Sequence, residues 1–431
     1  MLLARDRSRL SPFLHWKVQM RRKDLSSLIS SRRCLTSLSA RRHWFERVSL
    51  SWRKTVWKNL VPLLMSVLCL ALPALAGSLQ VTVTRGPYLQ LGTSTNIIVR
   101  WRTAQPSTSR VRFGLNQNTL SWHLSHQVPA VDHLITLTNL APDTRYFYSI
   151  GTATTDLAGG ESYYFLTAPV RPKPTRIWVL GDAGTSFNQP DYSGLGLIAE
   201  GQRAVRDAYY AHAGTRRADV WLLLGDNAYN DGNDGDYTTN FFNIYPEVTR
   251  QSVIWPAIGN HEVNLSNGDA PAYLEIFSLP ALGEAGGVPS GNERYYSFDH
   301  GNIHFVCLDS EISSREPSSP QLLWLEADLA ANTNDWLIVF WHSPPYSKGS
   351  HDSDFRSNLI KMRENVVPII EAYGVDLVLC GHSHVYERSY LIDGHYGSSF
   401  NWQPTMAKDS GSGRTNESGA YLKSVTGPAP R

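Results

Sequence analysis

Apolar and polar positions follow two different patterns along this 431-residue chain. Between Val81 and Thr167, short apolar runs are bounded by Gly, Pro and Asn, and helical spacing is absent. Beyond residue 174, apolar runs typical of strands alternate with stretches typical of helices. The predicted strands of the first region are Asn96–Arg102, Ser109–Phe113, Leu134–Leu137 and Tyr163–Thr167, and the predicted helices of the second are Leu197–Ala211, Gln321–Ala331 and Asn358–Tyr373. The patterns predict an all-β domain followed by an α/β layered domain.

Proline spacing and charge divide the chain further. Residues 169–174 contain three prolines and predict a stiff linker between a β-domain at 77–168 and a larger domain at 175–431. Residues 1–76 carry fifteen Lys or Arg and three acidic residues, so a net charge of +2 for the whole chain leaves residues 77–431 near −10. A body this acidic argues against nucleic acid as a partner.

The basic stretch leads into the apolar run Leu60–Leu72, which is followed by small residues up to Ala76. This layout is typical of a secretory signal, and the run is short for a membrane span. We expect cleavage near Ala76, a secreted or periplasmic location, and no stable membrane insertion afterwards. An uncleaved anchor is the alternative. The length of the basic part fits either an extended leader or a start placed upstream of the true one.

Four cysteines are too few for a disulfide scaffold. Cys307 and Cys380 lie inside apolar runs and are predicted to be buried free thiols. Nothing in the sequence defines an oligomeric state.

Five apolar runs of the second domain each end in a loop that carries polar side chains suited to metal binding. The runs are Ile177–Leu180, Val220–Leu224, Val253–Ile258, Trp336–Phe340 and Leu377–Cys380. The loops that follow them contain Asp182, Asp226 with Tyr229, Asn260 with His261, His342, and His382 with His384. Loops at the carboxyl ends of parallel strands converge on one crevice. The sequence therefore predicts that these side chains pool into one site.

Carboxylates, imidazoles, an amide and a phenol can together hold two metal ions. Two ions about 3.5–4 Å apart can generate hydroxide and stabilise an in-line displacement at phosphorus. A Gly-Asp turn or a single histidine is commonplace by itself, but five such loops in this order favour a metal site over five structural turns. The pattern predicts phosphate-ester chemistry.

With these motifs, the chain resembles the metallophosphoesterase superfamily, and specifically the purple acid phosphatase family. The resemblance covers residues 81–424 and implies a layered αββα catalytic sandwich behind a β-domain. It implies that the first metal is held by Asp182, Tyr229 and His384, the second by Asn260, His342 and His382, and both by Asp226.

One departure from the wider superfamily sharpens the resemblance. Many relatives have Asp-x-His at the first motif, whereas Gly184 stands at the His position here and Tyr229 supplies a ligand instead. A phenolate suits Fe(III), and the second ion is expected to be Zn, Mn or Fe(II). The Asp-Arg pair that is typical of protein phosphatases after the second motif is absent.

The resemblance implies hydrolysis of small phosphate monoesters by a hydroxide generated at the metals. His261 and His351 are the histidines expected to contact substrate, with His261 as proton donor; an idle surface histidine is the alternative for His351. Two further functions stay open. One is phosphodiester or nucleotide hydrolysis at the same centre, and the other is a non-catalytic binding or adhesion role.

The β-domain has a resemblance of its own. Leu140–Tyr148 is similar to the tyrosine corner of fibronectin type III sandwiches, and Trp101 is the expected core aromatic. An unrelated β-sandwich is the alternative. Family members normally continue beyond the strand-like run Ala420–Ser424, so we expect the catalytic domain to be shortened at its carboxyl end, with an unpaired sheet edge.

Overall fold

The computed structural model describes residues 80–184, 198–264, 266–412, 414 and 416–421. The expected leader and signal at 1–76 and most of the run Ala420–Ser424 lie outside the described residues. Within these ranges, no helix is both long and apolar enough to cross a bilayer.

Five antiparallel strands form the first region. They are β1 (Val83–Gln90), β2 (Ile97–Gly114), β3 (Trp122–Leu137), β4 (Arg145–Gly151) and β5 (Asp156–Leu166). The long strand β2 pairs with β3 along one edge and with β1 and then β4 along the other. The prediction of an all-β region is confirmed.

The prediction of two separate strands at Asn96–Arg102 and Ser109–Phe113 is wrong, because both are parts of β2. The pairing register with β3 shifts between Arg102 and Ser107 and again before Ser109. Pro106, which cannot donate a ladder hydrogen bond, lies at this irregularity. A bulge bends a strand without ending it. The gap between the two predicted strands therefore corresponds to a bend within β2.

Two contacts hold the centre of the β-region. Trp101 is 1% exposed and stacks on the His133 ring at 4.7 Å. The Tyr146 hydroxyl accepts a hydrogen bond from the backbone N–H of Ala141 at 2.9 Å. A tyrosine corner makes this type of contact between a hydroxyl and upstream backbone. Trp101 is thus the core aromatic that its sequence position predicts.

Two further sheets form the second region. The first is a parallel sheet of β6 (Ile177–Leu180), β7 (Val220–Leu223) and β8 (Ile254–Pro256). The second contains β9 (Tyr296–His300), β10 (Ile303–Cys307), β11 (Trp336–Trp341) and β12 (Leu377–Cys380), of which only β9 is antiparallel to its neighbour. A short ribbon pairs β13 (Leu391–Ile392) with β14 (Ala407–Asp409). The ligand-bearing loops follow β6, β7, β8, β11 and β12.

Helices connect these strands, as βα units require. Their bounds are α1 (Ile198–Ala213), α2 (Asp234–Asp236), a π-helix (Tyr237–Phe242), α3 (Pro246–Thr249), α4 (Pro271–Ile276), α5 (Pro320–Ala331), α6 (Ser357–Lys361), a second π-helix (Met362–Val366) and α7 (Val367–Ala372), with 3₁₀ turns at Ser399–Asn401 and Pro404–Met406. The single helix predicted at Asn358–Tyr373 is therefore interrupted by a π-segment. Pro368 lacks the N–H that the carbonyl four residues earlier would accept, which explains the wider turn.

One apolar core joins the β-region to the first parallel sheet. The Gln90 side chain donates to the carbonyl of Ile254 at 3.1 Å, and the Tyr88 hydroxyl donates to the carbonyl of Ile276 at 2.8 Å. The described residues accordingly belong to one compact unit. Cys307 and Cys380 are free thiols, but only Cys307 is fully buried.

Candidate metal centre

The loops after β6, β7, β8, β11 and β12 meet at one place, and all seven predicted metal ligands lie there. One ligand atom from each of Asp182, Asp226 and His342 falls within 4.8 Å of the others. The remaining four, Tyr229, Asn260, His382 and His384, contact these three or one another. Residues from five segments of the chain thus form a single cluster.

The first group of side chains surrounds the Tyr229 hydroxyl. This oxygen lies 3.2 Å from Asp182 Oδ1, 3.0 Å from Asp226 Oδ2 and 3.1 Å from His384 Nε2. His384 Nε2 is in turn 3.3 Å from Asp182 Oδ1. A phenol has one hydrogen to donate, so it cannot satisfy all of these atoms.

The second group surrounds Nε2 of His342. The other ring nitrogen, Nδ1, donates to the carbonyl of Leu224 at 2.8 Å, which leaves Nε2 with a lone pair when the ring is neutral. That atom lies 3.1 Å from Asn260 Oδ1, 3.1 Å from His382 Nδ1 and 3.5 Å from Asp226 Oδ1. Electron pairs therefore converge on one point.

Asp226 belongs to both groups. Its Oδ2 is directed at Tyr229 and its Oδ1 at His342, and the residue is only 1% exposed. A carboxylate in this position has the geometry to bridge two cations. The donor set of two carboxylates, three imidazoles, an amide oxygen and a phenol also suits hard or borderline metal ions. The residues present therefore fit a two-metal centre.

The electrostatics of the cluster favour the binding of positive charge. Burial, together with the carboxylates of Asp226 and Asp182, holds the pKa of the Tyr229 phenol well above its usual value. Burial works to lower the pKa of His342, but Asp226 and Asp182 outweigh it and raise that pKa to about 9. Without metal ions, the Tyr229 phenol and the His342 ring would thus keep their protons. Bound cations would favour loss of these protons.

The backbone at this site is unusual as well. Asp182, Asp226, His382 and His384 all adopt a positive φ, between 51° and 70°. Non-glycine residues in this region cost about 1–3 kcal/mol each and cluster at functional sites. The sharp turns bring side chains back over the strand ends.

Two glycines permit the close approach of these loops. A Cβ on Gly225, whose φ is +85°, would lie 2.6 Å from Nδ1 of His342. A Cβ on Gly184 would lie 2.1 Å from the carbonyl oxygen of Asn227. A side chain at position 184 would collide with this loop. Residue 184 therefore cannot supply a metal ligand here, and the Tyr229 phenol is the group that faces the cluster.

Sequence reasoning assigned no role to Glu262, which supports the centre from behind. Its buried carboxylate accepts hydrogen bonds from the backbone N–H groups of Asp226 at 2.9 Å, Asn227 at 2.7 Å, Ala228 at 3.3 Å and Gly259 at 2.7 Å. Burial and the charge of Asp226 raise the pKa of Glu262 to about 8. Only its adjacency to Asn260 and His261 could have indicated this role.

The two predicted substrate histidines flank the cluster. His261 Nδ1 lies 2.6 Å from the carbonyl of Asn230, its Nε2 is 3.9 Å from Asp226 Oδ2, and its side chain is 37% exposed. The His351 ring stacks on His382 at 3.9 Å, and its buried Nδ1 has no hydrogen-bond partner among the described residues. Both rings therefore lie beside candidate ligands.

A serine network holds the loop that carries His351. The hydroxyls of Ser347 and Ser383 are 2.6 Å apart, and the Ser350 hydroxyl donates to the carbonyl of Ser383 at 2.9 Å. Ser383 lies between His382 and His384, so the His351 loop is tied to two candidate ligands.

The chain is similar in sequence to known phosphatases. The calcineurin-like phosphoesterase family matches residues 175–386, and the purple acid phosphatase N-terminal domain matches residues 84–167. Purple acid phosphatase 15 of Arabidopsis thaliana is 29% identical over 299 residues, covering 62% of this chain and 51% of its own. Acid phosphatase type 7 of Homo sapiens is 28% identical, covering 69% and 68%.

A solved structure has the same fold. The purple acid phosphatase PPD1 from seeds of yellow lupin (Lupinus luteus) aligns over 69% of this chain and 58% of its own, with a TM-score of 0.52 and 19% identity. The chain spans about half of the Arabidopsis relative and about two thirds of the human one.

Fold and sequence together define a calcineurin-like phosphoesterase domain behind a β-domain. The domain matched at residues 84–167 is described as that of purple acid phosphatases, and the Arabidopsis relative has the same name. The chain belongs to the purple acid phosphatase family. The predicted family and the predicted fold class are both confirmed.

Proposed function

We propose that this protein is a metal-dependent acid phosphatase that hydrolyses small phosphate monoesters. The observation that carries the proposal is the division of seven side chains into two groups that share the Asp226 carboxylate. Family membership supports the reaction class. The acidic body of the chain supports a small substrate over nucleic acid.

Each group would hold one ion. Asp182, Tyr229 and His384 would bind Fe(III), because a phenolate is a hard anionic donor. Asn260, His342 and His382 would bind Zn, Mn or Fe(II), and Asp226 would contact both ions. When bound, the two ions supply an activated water nucleophile and neutralise charge at phosphorus.

The chain's own residues do the remaining work. His261 donates from Nδ1 to the carbonyl of Asn230, so the protonated ring would have its Nε2–H to give to the leaving alkoxide. His351, stacked on His382 beside the cluster, would donate a hydrogen bond to a phosphate oxygen. Glu262 holds the backbone of two ligand loops in place.

The test is the visible spectrum, metal content and turnover of the purified protein beside Tyr229→Phe. We expect a charge-transfer band that the variant lacks, about two metals per chain including iron, and faster hydrolysis of p-nitrophenyl phosphate than of its bis-ester. A folded protein free of metal would sink the proposal. Two metals without a band would leave a phosphoesterase and remove the tyrosinate-iron assignment.

We also propose that the protein is exported, from the order of basic residues, apolar run and small residues within 1–76. Amino-terminal sequencing of protein collected outside the cytoplasm checks this. A mature start near Gly77 is expected, and a start upstream of Leu60 would contradict cleavage at this place.

A further inference from the structure

The segment 230–238 follows Tyr229, contains α2 and extends into the first π-helix, and its first residue contacts His261. The carbonyl of Asn230 is 2.6 Å from Nδ1 of His261. Gly232 packs so closely behind this histidine that a Cβ there would lie 2.6 Å from Cα of Glu262. A shift of the segment would therefore move the His261 ring.

Arginines of the β-domain hold the far side of this segment. From β1, Arg85 Nη2 donates to Asp234 Oδ1 at 2.7 Å and to its carbonyl at 2.8 Å, and Nε donates to the Thr238 hydroxyl at 3.2 Å. From β2, Arg102 Nη1 donates to Asp234 Oδ2 at 2.5 Å. Both carboxylate oxygens of Asp234 are thus bound to the β-domain.

The two arginines differ in burial. The Arg85 side chain is 2% exposed and lies over the Phe242 ring at 5.3 Å, whereas the Arg102 side chain is 32% exposed. The Asp234 side chain is 49% exposed, but its removal would leave the buried Arg85 guanidinium with no carboxylate partner, which is destabilising. Replacing Arg102 should destabilise the fold less, because water can reach the Asp234 carboxylate that loses this partner.

We propose that Arg85 and Arg102 are positioning residues for the phosphatase site, acting through Asp234 and segment 230–238 on His261. The inference rests on the proposed function, because it gives His261 the proton-donor role stated there. It makes the β-domain part of the catalytic apparatus. The contact path runs from the guanidinium groups to the Asp234 carboxylate, along the five backbone residues 230–234, to the His261 imidazole.

A simpler explanation is that these arginines only dock one domain on the other. Arg100 provides the matched control, since it also extends from β2 and donates to the Ser278 hydroxyl at 3.1 Å and to the carbonyl of Glu275 at 2.6 Å. These partners belong to a different part of the second region. Loss of docking alone would give Arg100→Gln and Arg102→Gln the same phenotype.

The experiment compares Arg102→Gln with Arg100→Gln on two substrates. Glycerol phosphate needs a proton for its alkoxide, whereas p-nitrophenolate leaves without one. We expect Arg102→Gln to lower kcat for glycerol phosphate about 10-fold and for p-nitrophenyl phosphate less than about 2-fold, with metal content unchanged. Arg100→Gln should leave the ratio of the two kcat values as in wild type.

Amide hydrogen exchange over 230–238 supplies a readout that does not depend on turnover. Faster exchange in Arg102→Gln than in Arg100→Gln supports the part of the inference that links Arg102 to this segment, and it does so even if the wild type hydrolyses neither substrate. That result would sink the proposed function and, with it, the catalytic part of the inference. Unchanged exchange, or an equal fall in kcat for both substrates, overturns the inference.

Discussion

Two buried histidines in the second region have much in common and differ in their partners. His304 is 2% exposed, His342 is fully buried, and neighbouring carboxylates raise the pKa of each to about 9 against the effect of burial. His304 lies 2.6 Å from Asp299 through Nδ1 and 2.9 Å from Asp328 through Nε2. His342 has one ring nitrogen satisfied and the other directed at further acceptors.

The difference distinguishes a structural histidine from a candidate metal ligand. Asp328 is itself completed by the Ser297 hydroxyl at 2.9 Å and the Val288 N–H at 2.7 Å, so each charge around His304 has a partner within the protein. Around His342, Asp226 Oδ1 accepts from the backbone N–H of His261 at 2.9 Å, but Asn260 Oδ1 and His382 Nδ1 both face the same ring nitrogen, Nε2. Burial and a shifted pKa are therefore insufficient to identify a functional histidine. A functional histidine is better identified by an excess of hydrogen-bond acceptors over donors around its ring.

The change expected to have the largest effect is Asp226→Asn at the shared carboxylate. It removes the negative charge that both ions would contact, while the amide keeps nearly the same volume. We expect metal content to fall from two ions per chain, and kcat for p-nitrophenyl phosphate to fall about 1,000-fold or more. Metal analysis and steady-state kinetics on the same sample measure both.

Asp226→Asn also tests the distinction between His304 and His342 most directly. If Asp226→Asn kept two metals and wild-type turnover, the convergence of acceptors on His342 would not mark a metal site. An unchanged melting temperature in excess chelator would show that any loss of activity does not come from unfolding.

A smaller effect, on stability, is expected from His304→Gln. The folded pKa of about 9 lies above the ordinary value of 6.5, so protonated His304 stabilises the fold. The pKa difference corresponds to about 3 kcal/mol, present in full below the ordinary pKa and lost as pH rises through the folded one. The free energy of unfolding of the metal-free protein should therefore fall across this window.

In His304→Gln this pH dependence should be flatter, and the variant should be less stable by about 3 kcal/mol at acidic pH. Urea unfolding at several pH values between 5.5 and 9.5 provides the measurement. Metal content and kcat should match wild type, since the histidine is satisfied within the protein. A loss of metal in this variant would erase the distinction between the two histidines.

The sequence predicted which five loops meet at one place better than it predicted the strands and helices around them. Strand-like apolar runs followed by Asp, Asn or His indicated the five loops, because parallel strands bring their carboxyl ends together. The roles of Tyr229 and Asp226 came from family resemblance, and the structure now shows them in contact. Asp226 as the shared residue could not have been derived from spacing alone, because it depends on which oxygen faces which loop.

Other features depended on contacts distant in sequence. The sequence predicted two strands at Asn96–Arg102 and Ser109–Phe113, yet pairing with β3 carries the single strand β2 through the bend between them. Asp234 was part of a loop with no assigned contacts, and its two arginines lie more than 130 residues earlier. Local patterns hold no information about such pairs, so the link between the β-domain and His261 required coordinates.

The smallest change in the series is Glu262→Gln, which tests the support of the centre without altering a ligand. Glu262 resembles Asp328, since both are buried carboxylates satisfied by backbone or hydroxyl donors, but Glu262 holds the loops of Asp226 and Asn260. An amide presents an NH₂ group to one side of this cluster of N–H donors. We expect metal affinity to fall about 10-fold, as for other partners that orient ligands. Competition with a chelator measures it, and Asp328→Asn is the matched control, in which stability falls and metal affinity does not. An equal loss of metal affinity in both variants would mean that any buried carboxylate of the fold supports the centre, and Glu262 would then have no special relation to it.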